Sequence, residues 1–162
     1  YGDHRDLHYP LRRQRQMCIR DRDITDAIRE VDNNHIVYIE GNWYGTDFSG
    51  LTPPWDDNMS YSFHKYWGET SLATIQSYIS MSNQYDTPLW MGESGENSNQ
   101  WYYEVFNLLE ENNIGWNFWT HKKVEKISSP FSAVVTPQYQ TLIDYWSGNG
   151  WNKKSKKCKS IC

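Results

Sequence analysis

TPLWMGESGENSNQWYYEVFNLLEENN, residues 87–113, holds two kinds of periodicity back to back. Its first nine residues read as a strand: Pro88 introduces it, Leu89, Trp90 and Met91 fill it, and glycines close it. From Asn97 onward the pattern changes. Trp101, Val105, Leu108 and Leu109 recur at three- and four-residue spacing, which places them on one helical face. A strand running straight into an amphipathic helix is a βα unit, and the same pattern recurs on both sides.

Upstream, DITDAIREVDNN (23–34) reads as a helix with Ile24, Ala27, Ile28 and Val31 on one face. HIVYIEG (35–41) reads as a strand ended by Gly41, and a polar loop with prolines and tryptophans follows to residue 58. MSYSFHKYW (59–67) is a second strand with its exit loop. ETSLATIQSYISMSNQY (69–85) is a helix with Leu72, Ile75, Tyr78, Ile79 and Ser82 on its repeating face. Downstream, IGWNFWTHK (114–122) is a fourth strand, and PQYQTLIDYW (137–146) is a last helix with Pro137 in its first turn. Strands alternating with helices imply a parallel sheet, and strands apolar on both faces imply helices covering it. Four such units fit a small doubly wound sheet or half of a (β/α)₈ barrel. No GxGxxG or GxxxxGK[ST] follows any strand, so the barrel is favoured.

The formal net charge of -4 over 162 residues hides three regions. Residues 1–22 carry six arginines, and residues 153–159 carry five lysines. The body, 23–152, has only 5 basic residues against 17 acidic ones, and it contains all 9 tryptophans. A body that acidic repels phosphate backbones, which argues against nucleic-acid binding. Indole faces in an acidic setting suit stacking on the apolar faces of sugars. The body has no cysteine, since Cys18, Cys158 and Cys162 lie outside it, and His35, His64 and His121 show no metal-ligand spacing. Neither a metal nor another cofactor is implied. No apolar run is long enough for a membrane span, and none follows the first arginines as a secretory signal would require.

In a parallel barrel the chemistry lies at the carboxyl ends of the strands. Those ends carry Glu40 in YIEGN, His64 and Tyr66 in SFHKYW, Glu93 in MGESGEN and Trp119 in NFWTHKK. Taken singly, a glutamate between glycines or a lone histidine is more often structural. Together on successive strand ends they describe one mouth with a carboxylate, an imidazole, a phenol and an indole.

In this order and spacing, NMSYSFHKYW, PLWMGESGENSNQWY and GWNFWTHKK resemble the C-terminal half of glycoside hydrolase family 5, the cellulases and related β-glycanases. The resemblance covers about residues 23–146. It implies an α/β chain forming strands five to eight of a (β/α)₈ barrel. It also implies that Glu93 is the catalytic nucleophile, with His64 and Tyr66 as the pair beside it. Trp119 would support the sugar at the cleaved bond, and Trp43 matches, more loosely, another stacking aromatic. The implied substrate is a β-1,4-glucan. β-Mannan, xyloglucan and mixed-linkage glucan are alternatives, and a non-catalytic carbohydrate-binding module is a rival of another class, disfavoured by the long amphipathic helices. No membrane or protein partner is implied, and an extracellular or periplasmic location is expected.

A retaining glycosidase needs two carboxyl groups, one to attack the anomeric carbon and one to protonate the leaving oxygen and later activate water. A phenol such as Tyr66 would hold and orient the attacking carboxylate. The family places its acid/base in an Asn-Glu-Pro motif that this chain lacks; Glu40 is followed by Gly41 and lies one strand too late. A complete barrel takes about 250 residues, so residues 23–150 are expected to be a partial catalytic domain, inactive and poorly soluble alone. Back-translation matches Tyr1–His8 to the end of a sequencing flow-cell adapter and Arg12–Arg22 to a tagmentation adapter, with an index segment between them. Residues 1–22 are therefore read as adapter-derived, and 151–162 as a basic tail of separate character.

Overall fold

The computed structural model describes residues 18–126, 128–129 and 131–148. Most of the adapter-like stretch, residues 1–17, and the basic tail, 151–162, lie outside the described residues. The chain divides into two units, one through Thr120 and one from His121.

The first unit is built on a four-stranded, all-parallel sheet in the order β1-β2-β3-β4. The strands are β1 (Val37–Glu40), β2 (Met59–Lys65), β3 (Leu89–Ser94) and β4 (Gly115–Trp116). Their connections carry α2 (Asn42–Gly45), a single turn, then a 3-10 turn (Leu72–Thr74), α3 (Gln76–Tyr85) and α4 (Asn99–Glu111). Helix α1, residues 18–29, precedes β1. Register places Val37, Ile39, Met59, Tyr61, Phe63, Leu89 and Met91 on one face of the sheet. Tyr61, Phe63 and Met91 are fully buried there, in one core with Ile75, Val105 and Leu109 from the helical segments. Each fully buried side chain of this kind contributes about 1.5–3 kcal/mol. The Phe63 and Tyr78 rings stack with centroids 4.4 Å apart, fixing α3 against β2.

The opposite face is made of small residues in its middle, Ser60, Ser62 and Gly92, beside an edge-on Tyr38–Trp90 pair 5.7 Å apart. A Cβ at Gly115 would overlap the Trp90 ring, so only glycine lets β4 approach β3 there. Tyr38 on this face is 49% exposed.

Helix α4 follows the expected pattern. Trp101, Val105 and Leu109 are buried, Leu108 packs against the same core, and the Ser98 hydroxyl caps the first turn by accepting from the Trp101 amide at 3.2 Å. The helix expected over 69–85 is broken. Ile75 sits outside helical geometry at φ -118°, ψ 0°, between the 3-10 turn and α3, so Leu72 falls off the apolar face and is 45% exposed. Ser82 lies on the packed side through its hydroxyl, which donates to the Thr87 carbonyl at 2.7 Å.

Helix α1 departs most from expectation. It begins by residue 18, ahead of Asp23, and its stripe faces outward, with Ile24 51% and Val31 86% exposed. The packed side holds buried Cys18 and Thr25, and the Thr25 hydroxyl accepts from the Trp55 indole at 3.1 Å. Polar anchoring explains this choice of face. Arg29 grips the Asp56 carboxylate with two hydrogen bonds of 2.7 and 2.8 Å and donates to the carbonyls of Asp32, His35 and Asn58.

The expected fourth strand pairs only at Trp90–Gly115 and Met91–Trp116, with a further isolated bridge from Gly95 to Trp119. Among the described residues, the second unit has a pair of three-residue strands, β5 (Lys122–Val124) and β6 (Phe131–Ala133), which the sequence did not announce. Its helix α5 (Pro137–Trp146) has the expected bounds, with the Thr136 hydroxyl accepting from the Tyr139 amide at 3.2 Å.

Candidate active site

Glu93 is the fifth residue of β3, and its neighbour across the sheet is set by an irregularity. The β2–β3 register pairs Phe63 with Met91 but His64 with Glu93, so Gly92 has no partner of its own. Glycine inside a strand often marks such a bulge. The extra residue carries Glu93 to the level of His64, instead of leaving the histidine opposite Gly92.

Tyr66, just past the end of β2, donates its hydroxyl proton to Glu93 Oε2 at 2.5 Å. This is a short, charge-assisted bond. Burial, reinforced by that hydrogen bond and by the carboxylate charge, pushes the Tyr66 phenol far above its ordinary value. The phenol therefore remains a proton donor. His64 presents Nδ1 3.6 Å from Glu93 Oε2 and Nε2 3.4 Å from Glu40 Oε1. The His64 side chain is only 8% exposed, and its Nε2 lacks a hydrogen bond because Glu40 is near but not aligned. Gly45, at φ +73°, lies flat on this imidazole: a Cβ there would come within 2.7 Å of the ring. Only glycine fits that position.

The loop carrying Tyr66 is tied down from the α4 side. Asn97 donates to the Tyr66 carbonyl at 3.2 Å, the Trp101 indole donates to the Gly68 carbonyl at 3.0 Å, and the Thr70 hydroxyl donates to Glu104 at 2.7 Å. These partners fix the phenol without touching the cleft. They were not foreseen, although the run GENSNQW, rich in amides and a cap residue, is the signal that could have suggested them.

Glu40, His64, Tyr66, Glu93 and Trp119 line one open cleft of about 670 Å³, together with Tyr44, Trp67 and Glu96. Trp119 is 51% exposed, and its amide bonds to the Ser94 carbonyl, holding it beside the end of β3; the Trp119–Thr120 peptide is cis. Trp43 is not among the lining residues. It is 73% exposed, and its neighbour Tyr44 lines the cleft instead. Trp43 and Tyr44 both adopt left-handed backbone, at φ 51° and 58°, so which ring reaches the cleft depends on a turn that sequence does not betray. Among the described residues, no group of three or more His, Cys, Asp or Glu is placed to hold a metal ion. The ensemble is one carboxylate, Glu93, held by a phenol, with an imidazole, an indole and the carboxylates of Glu40 and Glu96 in the same cleft.

The sequence pattern of the family described as Cellulase (glycosyl hydrolase family 5) matches residues 18–124. No curated protein matches the chain. Among solved structures, Thermotoga maritima Cel5A in complex with cellobiose is similar at 17% identity and TM-score 0.51, covering 67% of this chain and 46% of that one. The cellulose synthase subunit Z of Clostridioides difficile matches at 16% identity and TM-score 0.49, covering 61% and 46%. An endo-beta-1,4-glucanase from Xanthomonas axonopodis pv. citri matches at 17% identity and TM-score 0.48, covering 70% and 44%. The chain thus spans less than half the length of these structures. Its four parallel βα strands form part of a (β/α)₈ barrel.

Proposed function

The chain belongs to the cellulase family, glycosyl hydrolase family 5, and from that premise we propose that it supplies the nucleophile half of a retaining endo-β-1,4-glucanase. Glu93 attacks the anomeric carbon of a glucosyl unit and forms a glycosyl–enzyme ester, while the leaving sugar oxygen takes a proton. Water then adds to the anomeric carbon, releasing the sugar and restoring the carboxylate. Tyr66 keeps Glu93 oriented for in-line attack, and the Trp119 indole supports the ring as positive charge develops on it. The proton donor is a second carboxylic acid from a part of the barrel beyond this chain. A polymeric substrate calls for action outside the cytoplasmic membrane.

The observation that carries this reading is the 2.5 Å bond from Tyr66 to Glu93 in the cleft that also holds Trp119. The test is Glu93→Gln in an enzyme restored to full length. Turnover of soluble cellulose derivatives should fall by at least about 10³-fold with oligosaccharide binding retained. Unchanged turnover would remove Glu93 from the mechanism. The 162-residue chain by itself should release no reducing sugar, and full turnover from it would refute the need for a carboxyl group supplied from elsewhere.

A further inference from the structure

His64 stands between two carboxylates that belong to neighbouring strands. Glu40 ends β1 and pairs with Ser62 across the sheet, and His64 lies two residues beyond Ser62, on the same face of β2. On its other side His64 pairs with Glu93 of β3. The three side chains form one row across the mouth, carboxylate, imidazole, carboxylate. Nε2 is 3.4 Å from Glu40 Oε1, and Nδ1 is 3.6 Å from Glu93 Oε2. The reaction assigned to Glu93 leaves Glu40 without a task.

The nitrogen that faces Glu40 is buried and has no hydrogen bond, although the Glu40 side chain is itself 58% exposed. Leaving a buried polar group unpaired is costly, whereas an exposed glutamate chain turns freely enough to align with it. An ionised carboxylate only accepts, so a bond between the two groups puts a proton on Nε2. The partner of one ring nitrogen in this way decides what the other presents. The backbone holds the ring closely on another side, since a Cβ at Gly45 would lie 2.7 Å from its Cγ and Cδ2 atoms. A half-turn about the Cβ–Cγ bond would exchange Nδ1 with Cδ2 and Nε2 with Cε1, presenting carbon to both carboxylates. A bond to Glu40 selects against that orientation.

We propose that Glu40 is a positioning residue for the nucleophile: its carboxylate takes the Nε2 proton of His64 and so holds the imidazole, Nδ1 foremost, against Glu93. Tyr66 and His64 both stand against Oε2 of Glu93, so a ring free to turn loosens the carboxylate that attacks. The catalytic consequence rests on the glycosidase reading of Glu93, whereas the contact between Glu40 and His64 can be tested without turnover.

Long-range ¹H–¹⁵N spectra of the 162-residue chain at neutral pH read which ring nitrogen of His64 carries a proton. Nε2 should carry one in the parent. Glu40→Ala should move the His64 ring signals, and Glu40→Gln, whose amide oxygen still accepts, should keep most of the parent pattern. In an enzyme restored to full length, Glu40→Ala should lower kcat about tenfold with KM held. Glu40→Gln should recover most of that loss, and Glu40→Ala added to His64→Ala should cost nothing further. A bare Nε2 in the parent, or identical His64 signals in the parent and Glu40→Ala, would overturn the proposal while leaving the nucleophile to be judged by Glu93→Gln. An equal loss of kcat from Glu40→Ala with and without His64 would also refute it, because Glu40 would then act by another route. Should Glu40→Ala fail to fold by circular dichroism, the parent spectrum decides alone.

Discussion

Gly95 joins the end of the nucleophile strand to Trp119, and replacing it with alanine tests that junction directly. Gly95 has φ +149° and pairs with Trp119 in an isolated parallel bridge. A Cβ there would overlap the Trp119 carbonyl oxygen and lie 2.8 Å from the Tyr102 hydroxyl. The oxygen belongs to the backbone and cannot swing aside as a long side chain would. Backbone strain costs about 1–3 kcal/mol, and overpacking adds about 1–3 kcal/mol, so Gly95→Ala should destabilise by roughly 4 kcal/mol. Gly68→Ala is the control, because Gly68 also has positive φ, +86°, but an added Cβ meets nothing within 4 Å. It should cost about 1–2 kcal/mol, the backbone part alone. Urea unfolding followed by tryptophan fluorescence would separate the two by roughly 1 M or more in midpoint, given a slope of about 1–3 kcal/mol/M. Equal midpoints would show that Trp119 does not lie against Gly95.

Tyr66→Phe in a full-length enzyme should lower kcat/KM by about 10- to 100-fold, the worth of one hydrogen bond to a charged group; an unchanged value would exclude a role in orienting Glu93. Ser98→Ala should cost about 1 kcal/mol by uncapping α4, read as a lowered urea midpoint, and no change would mean the cap is idle. Asp32, whose carboxylate accepts from the Asn34 and His35 amides and pairs with the His35 ring, is held down at about 2. Its folded value lies below its unfolded one, so its stabilisation is complete above about pH 4 and disappears as pH falls through 2. The difference in Tm between the parent and Asp32→Asn should shrink over that window, and a constant difference would refute the link.

The sequence showed plainly those parts of the fold that follow from periodicity. Trp101, Val105, Leu108 and Leu109 announced α4 and its buried face, and Pro137–Trp146 announced α5. It misled where polar anchoring outweighed periodicity, as when the bonds of Arg29 and Thr25 turned Ile24 and Val31 outward. The strands β5 and β6, at three residues each, are too short to carry a pattern. The strand-end rule placed Glu40, His64, Tyr66, Glu93 and Trp119 at one mouth, and they do line one cleft, because in a parallel sheet position along the strand fixes which end a residue occupies. What stayed hidden was set by backbone: the bulge at Gly92 that levels His64 with Glu93, and the left-handed turn that brings Tyr44, not Trp43, to the cleft.

The sheet order β1-β2-β3-β4 repeats the order of the strands along the chain, and every pairing is parallel. Each strand therefore finds its neighbour in the segment made just before it. A ribosome releasing this chain from the amino end would let β2 dock on β1, then β3 on β2, each new strand pairing with one already synthesised. Elongation of about 5–20 residues per second leaves seconds for each docking step, against microseconds to milliseconds for helix formation and loop closure. The sheet can thus be laid down in step with translation, and its unpaired growing edge is exposed only until the next strand emerges.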